Sequence, residues 1–378
     1  MNKTKDLYKI IGLMSGTSHD GLDAALVNIN PLKNNRLKIK LIHHIHIPYD
    51  AALRNRIHNA FNGTTEQICR LNFELGEVFS QGVLSIIKES NVSYKEIDCV
   101  SSHGQTIYHI PPSETTTGCT LQIGESSIIA QRTGIPVISD FRTADMAVGG
   151  QGAPLVPMAD YILFGKKDKT SAVLNIGGMA NVTIVSDTID KIIAFDTGPG
   201  NSLIDEVIRL YSNGEILFDN NGEIAQKGKP EKQLLDTLLS NQYFKKSPPK
   251  STGRELFGLD YAKEILLNNI PIEDIICTLT HLTAITIVDA ISPYNPDEII
   301  VTGGGVYNSY LIELMTNGFR EKGIKSINKI TKYGIPPEAK EAVSFAVLGY
   351  LTLNHMTGNV PSATGANKSV ILGKFTFP

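Results

Sequence analysis

The first third of the chain alternates between apolar runs and turn-forming residues. Tyr8–Met14, Leu22–Ile29 and Leu37–Ile47 each read as a strand, and turn-rich segments such as Asn28-Ile29-Asn30-Pro31 punctuate them. The period then changes. Ile68, Leu71, Leu75, Val78, Val83 and Ile86 recur at three- to five-residue steps, which places them on one face of a long helix. Glu96–Ser102 reads as a strand again, with a turn signal after it, so this half runs β-β-β-α-β. The order repeats further on. Ser171–Ile176, Ala180–Val185 and Lys191–Phe195 are short strands, and a helix begins after Gly200-Asn201. A second helix, from about Ile275 to Ile291, sets Ile275, Leu279, Leu282, Ile285, Val288 and Ile291 on one face. Glu298–Thr302 is a buried strand that ends in Gly303-Gly304-Gly305, and Asn308 can cap the helix that follows. The repeat lies in element order rather than in residue identity.

Two hairpins stand out, Ile11–Val27 and Val173–Val185. Each is an apolar strand, a tight loop rich in Gly, Ser, Thr or Asn, and a second apolar strand. Gly16 and Gly177-Gly178 permit backbone that other residues adopt with difficulty. Loop N–H groups and the hydroxyls of Ser15, Thr17 and Ser18 can face an anion. Two such loops suit a polyphosphate gripped from both sides, hence a nucleotide-dependent enzyme with two related halves. Gly149-Gly150-Gln151-Gly152-Ala153-Pro154 reads as a crossing between the halves, and Pro248–Gly253 as a further loop.

Composition narrows the class. At 378 residues the chain exceeds one ordinary core, and 42% hydrophobic against 19% charged residues is a globular balance. The net charge of −3 gives no bulk attraction to nucleic acid or to an anionic membrane. Cys69, Cys99, Cys119 and Cys277 are widely spaced, which favours free thiols in a reducing compartment. The N-terminus lacks the apolar core of a signal peptide, and no apolar stretch reaches the roughly 20 residues of a membrane span. The expected location is the cytoplasm.

The strings GLMSGTSHDGLDAALV, SSHGQT, LQIGESSIIA, DFRTADMAVGGQGAPLVP, LNIGGMANVT, AFDTGPGNSLID, STGRELF and VTGGGVYN resemble those of the anhydro-N-acetylmuramic acid kinase family. That family lies within the superfamily of sugar kinases, actin and heat-shock chaperone ATPases. The resemblance implies an α/β fold of two ribonuclease-H-like, actin-like ATPase lobes with a central nucleotide cleft. The first lobe would comprise residues 1–140 plus 356–378 and the second 141–355. It implies ATP and Mg²⁺, a small sugar substrate, and neither nucleic acid nor membrane as partner; a homodimer is compatible with it. In the family's reaction water opens the 1,6-anhydro bridge of the sugar while O6 takes the γ-phosphoryl group, in recycling of cell-wall peptidoglycan. The alternatives are a conventional sugar kinase of the same superfamily or a chaperone-like ATPase.

Residue by residue, Gly16, Thr17, Ser18, His19, Asp20, Gly21, Leu22 and Asp23 match the family's ATP loop. Asp20 is the expected Mg²⁺ carboxylate, directly or through water, although Asp20-Gly21 alone is also an ordinary turn. His19 departs from the family, which usually carries Met there. Gly177, Gly178, Ala180 and Asn181 form the opposing loop, and Gly303, Gly304 and Gly305 fall where the superfamily places adenosine. Asp196, at a strand end, is the expected general base for water, or else an Asx-turn residue. Glu341 aligns with a family Glu that helps orient the water, or else is a solvated first-turn charge. Arg142 offers two-point geometry to the lactyl carboxylate of a muramic acid, or else pairs internally with Asp140 or Asp145. His103, Gln105, Glu125, Asp145 and Gln151 complete the expected sugar contacts. His43, His44 and His46 alternate along a strand and read as surface or packed residues.

Overall fold

The computed structural model describes residues 5–16, 18–32, 36–113, 115–267 and 269–378. It divides into two compact units, 1–163 with 334–378, and 164–333. Three antiparallel strands open the first unit: β1 (Tyr8–Ser15), β2 (Gly21–Pro31) and β3 (Leu37–Pro48). Helices α1 (Ala51–Ala60) and α2 (Thr65–Ser90) follow, then β4 (Cys99–Ile110), β5 (Cys119–Ile123), α3 (Ser126–Thr133), β6 (Val137–Ser139), α4 (Arg142–Met146) and α5 (Val156–Phe164). β4 runs parallel to β1, and β6 parallel to β4.

The second unit opens with β7 (Ser171–Ile176), β8 (Met179–Val185) and β9 (Ile193–Pro199), again antiparallel. It continues through α6 (Ser202–Tyr211), α7 (Lys232–Leu239), α8 (Leu259–Leu266) and α9 (Ile272–Ile291) to β10 (Glu298–Thr302), α10 (Ser309–Glu321) and β11 (Ile327–Lys329). The chain then returns to the first unit as α11 (Lys340–Leu353), α12 (Pro361–Thr364) and β12 (Lys374–Thr376). Strand order is β12-β6-β4-β1-β2-β3, with β5 paired to β4, in one sheet and β11-β10-β7-β8-β9 in the other. The repeat expected from element order is therefore a repeat of topology, and the α/β class with two related units holds.

The boundaries differ from those expected. Residues 141–163 and 334–355 belong to the first unit, and side chains show why. Arg142 bonds to His103, and the buried carboxylate of Asp145 accepts from Asn359 Nδ2 and Thr364 Oγ1, each at 2.8 Å. Helix α11 lies directly on β1, where a Cβ on Gly12 would sit 1.9 Å from Ala342 O and 2.8 Å from Ala346 N. Both neighbours are backbone, so Gly12→Ala must force strand and helix apart. It is expected to cost about 2 kcal/mol or more, read as a lower urea midpoint with unchanged slope. An unchanged midpoint would contradict this packing. The Gly149–Pro154 passage, expected to cross between halves, likewise lies inside the first unit.

The α2 stripe works as its spacing predicts: Leu71, Leu75, Val83 and Ile86 are buried with Phe79 against Leu22 and Leu26 of β2. Helix α1, absent from the sequence reading, is capped by Asp50, whose side chain accepts from Leu53 N at 2.7 Å. Strand β4 starts later and runs further than expected, so His103-Gly104-Gln105-Thr106 are strand rather than turn; pairing with β5 carries it on. Helix α9 corrects another expectation, since Ile272–Tyr294 is long and apolar enough to cross a membrane. It is mostly buried instead, serving one apolar cluster with Ile275, Leu279 and Leu282 and another with Ile287, Val288 and Ile291. The four cysteines are free thiols, Cys69 and Cys119 exposed, Cys99 and Cys277 buried.

Candidate active site

In the first unit the β1–β2 turn is anchored from behind. Ser15 is buried, its Oγ donating to Gln105 Oε1 (2.7 Å) and lying 2.8 Å from Tyr49 Oη. Gln105 is fully buried and fixes the turn to β4. Thr17 lies outside the described residues. Ser18 Oγ donates to the exposed carboxylate of Asp20 at 2.6 Å. Asp23 accepts from His44 and His46, each at 3.1 Å, which occupies two of the three alternating histidines. His19 adopts φ 53° and packs its ring 5.0 Å from that of Phe61.

The glycines separate into two kinds. Gly21 lies against Ile47 O, Gly303 has φ 82° and lies against Asn175, and Gly305 packs on Ile176, so the fold itself requires them. Gly16, Gly177, Gly178 and Gly304 are different. A Cβ on any of them would meet nothing closer than 3.6 Å, and none needs positive φ. Open space at these glycines is room a ligand can enter beside the main chain, although Gly177 N–H is itself bound to Met179 O at 3.1 Å. The Gly177-Gly178 turn is held from below by bonds from Gly200 N and Ser202 N to Gly178 O, at 2.8 and 3.0 Å, and from Asn201 N to Gly177 O at 2.8 Å.

Asp196 pairs across β8–β9 with Asn181, beside a bulge at Ala180/Asn181. Its carboxylate Oδ2 accepts from Thr252 N (2.9 Å), and its main-chain oxygen accepts from Tyr243 Oη (2.8 Å). The 250–252 loop thus folds over the strand end, and the carboxylate bonds this distant loop rather than forming the Asx-turn that was the alternative reading. Burial pushes the Asp196 carboxyl up to about 6; Thr252 N–H and Lys250 oppose the rise and Glu255 adds to it. Burial lowers Lys250, with Asp196 opposing.

The expected sugar residues fall in the first unit. His103 is buried, and its Nδ1 meets Gly104 O (2.8 Å). Burial and the Arg142 charge push its pKa down to about 3, so it is neutral. Its Nε2 accepts from Arg142 Nε (3.2 Å) and Nη2 (3.0 Å), while Arg142 Nη1 donates to Gly152 O (3.0 Å). The guanidinium is held by neutral partners, and among the described residues no carboxylate lies within ion-pair range of it. Asp145, an expected sugar contact and the alternative internal partner of Arg142, is fully buried and accepts from Gly152 N, Asn359 Nδ2 and Thr364 Oγ1 instead. Glu125 caps α3 through Ser127 N (3.0 Å) and accepts from Asn72 (3.1 Å). Burial opposes its ionisation, but these bonds hold it below the usual carboxylate range. Gln151 is exposed, its main-chain N–H bound to Thr364 O. Glu341 opens α11 in the first unit, whereas Asp196 belongs to the second. Although solvent-exposed, its carboxyl is raised by desolvation; Lys340 and Arg142 oppose that rise, while Asp23 and Asp160 add to it. Lys340 itself forms a buried ion pair with Asp160 at 2.9 Å.

A family model described as anhydro-N-acetylmuramic acid kinase matches residues 8–378. The chain belongs to that family. A Caldanaerobacter subterraneus subsp. tengcongensis protein of that name is 42% identical over 392 residues, covering 98% of each chain. Others from Bacillus cereus and Bacillus thuringiensis are each 44% identical, covering 98% of this chain and 99% and 98% of theirs.

As an anhydro-N-acetylmuramic acid kinase family member, the protein is a kinase, and Asp205, Phe218 and Tyr307, which the sequence did not single out, gain interest beside Gly304. A cavity of about 310 Å³ in the second unit is lined by Asn201, Asp205, Phe218, Gly304, Tyr307 and Asn308. Phe218 and Tyr307 expose more than half their surface, 56% and 58%, and present flat aromatic walls. Burial pushes the Asp205 carboxyl up to about 7. Asp205 follows Asn201 by four residues, so helical spacing alone sets both toward one side. Thr252 and Lys250 lie in the Pro248–Gly253 loop that the sequence marks, but only the tertiary fold brings that loop to Asp196.

Proposed function

We propose that this kinase uses ATP to phosphorylate 1,6-anhydro-N-acetylmuramic acid with opening of the anhydro ring. Water oxygen bonds to C1 and the C1–O6 bond breaks. O6 takes the γ-phosphoryl group, ADP leaves, and the water proton passes to Asp196. The product is N-acetylmuramic acid 6-phosphate, formed in the cytoplasm during peptidoglycan recycling. The observation that carries the reading is Asp196: a carboxylate ionised at neutral pH, with Oδ2 fixed by Thr252 N–H. That arrangement leaves Oδ1 to accept a proton.

Roles are assigned unit by unit. In the second unit, Gly177, Gly178 and Asn181 face phosphate, while Gly304, Asp205, Phe218 and Tyr307 suit a nucleoside, the carboxylate reading ribose hydroxyls. In the first, Gly16, Ser18 and the turn around them face phosphate. Asp20, an exposed oxygen donor, would hold Mg²⁺ with water completing its shell. The ion neutralises phosphate charge when bound. Glu341 orients the attacking water, and Arg142 takes the lactyl carboxylate.

Turnover in ¹⁸O-labelled water tests the reaction. A product that gains both a phosphoryl group and one labelled oxygen at C1 is expected. A phosphorylated sugar without label would mean an ordinary hydroxyl kinase, and ATP hydrolysis stimulated by polypeptide but indifferent to sugar would favour a chaperone-like ATPase.

A further inference from the structure

Of the loop that folds over β9, the roles above use only Thr252. Its main chain is pinned at two points: Asp196 N donates to Lys250 O (3.0 Å), and Thr252 N donates to Asp196 Oδ2 (2.9 Å). Both bonds use main-chain atoms of the loop, so they place it whatever side chains it carries. The side chains add charge of both signs. Lys250 sets its ammonium 4.9 Å from the centre of the Tyr243 ring, and the hydroxyl of that buried tyrosine donates to Asp196 O (2.8 Å). The Glu255 carboxylate turns back over Gly253, where any side chain would collide with it. Arg254 is paired with Glu206 instead, at 3.7 Å. Lys246 shares the Tyr243 ring with Lys250, 5.8 Å from its centre, and burial together with Asp196 keeps Tyr243 neutral. Across the strand pair, the partner Asn181 is uncharged. Among the described residues, Lys250 and Glu255 are thus the charges that act on Asp196.

A buried base faces two opposite demands. It must be ionised before water attacks, and burial alone disfavours that form. It must also be basic enough to take the proton, and a neighbouring cation alone would lower that basicity. One charge of each sign beside it meets both demands. We propose that Lys250 and Glu255 are positioning residues that set, with opposite sign, how readily Asp196 takes the proton of water. The inference rests on Asp196 as the base and adds the residues that adjust it. Lys250 opposes the rise that burial imposes on the carboxyl, and Glu255 adds to it. Lys250 is itself partly desolvated, with Asp196 strengthening and Lys246 weakening its hold on its own proton.

The position of the acid limb of kcat/KM tests this pair. In wild type the limb should turn near pH 6. Lys250→Met keeps the alkyl stem on Tyr243 and removes the charge, so the limb should move up by roughly half to one pH unit. Glu255→Gln removes the opposing charge, so the limb should move down by a similar amount. Neither change reaches that of a fully enclosed neighbour, because Glu255 is exposed and Lys250 partly so. At pH 5, measured against its own plateau, Lys250→Met should lose roughly three- to tenfold more than wild type. Lys250→Arg keeps the charge and should keep the limb where wild type has it. A loosened loop would move both variants in the same direction, so opposite movements separate charge from scaffolding. Glu255 lies at the surface, so Glu255→Gln gives the sign even where Lys250→Met fails to fold. A limb that stays in place in either variant, or moves the same way in both, overturns the inference. Where Asp196→Asn is inactive and the loop variants leave the limb unmoved, this inference alone fails. Where Asp196→Asn turns over like wild type, the base and this inference fall together.

Discussion

Asp196→Asn is expected to lower kcat by roughly 10²- to 10⁴-fold, the usual contribution of a positioned general base, with little change in ATP or sugar binding. The substitution is nearly isosteric, and an amide oxygen can still accept from Thr252 N–H, so the loop over β9 should stay in place. What disappears is the ability to take a proton from water. The pH dependence follows from the same group. Burial raises the carboxyl to about 6, and the active form is the ionised one. Wild-type kcat/KM is therefore expected to be flat above neutrality and to fall about tenfold per unit below pH 6, as protonation removes the base. In Asp196→Asn that acid limb should vanish from the residual activity. Wild-type turnover by the variant would remove Asp196 from the role of base.

Much of the architecture was legible because its signals are local. Strands β1, β2, β3, β7 and β8 and helices α2 and α9 follow from period and turn residues within one window, and their order alone announced two related units. Helix α1 also left a signal that was passed over: Leu53, Ile57 and Ala60 line one face behind the Asp50 cap. Boundaries between units were not legible, because bonds between residues far apart in sequence decide them. Asp145 reaching Asn359 and Thr364 places α4 with the C-terminal segment, and nothing within 20 residues of Asp145 announces it. The glycines show the same division at the site. Sequence reading treats Gly303, Gly304 and Gly305 alike, whereas packing explains the outer two and leaves space before Gly304. Charged residues were the least legible, since a carboxylate near an arginine in sequence reads as its partner. Here the nearby Asp145 is turned away, and a neutral histidine from β4 takes its place.

That substitution of partner underlies the second large effect. Arg142 carries its charge half-buried, held by His103 Nε2 and Gly152 O. Desolvation lowers its pKa, partly offset by Glu341, and no protein carboxylate pairs with it among the described residues. A desolvated guanidinium held by neutral groups is oriented without being neutralised, which leaves charge for an incoming anion. Arg142→Ala is therefore expected to reduce kcat/KM for 1,6-anhydro-N-acetylmuramic acid roughly 30- to 1,000-fold, the range for truncating one side of a buried charge pair. The same variant should lose far less on 1,6-anhydro-N-acetylglucosamine, which lacks the lactyl carboxylate. Arg142→Lys should rescue little, because an ammonium cannot bond His103 and a carboxylate in the planar geometry of the guanidinium. The comparison between sugars separates recognition from scaffolding: if Arg142 only supports His103 and the Gly152 turn, its loss will lower activity on both sugars by the same factor.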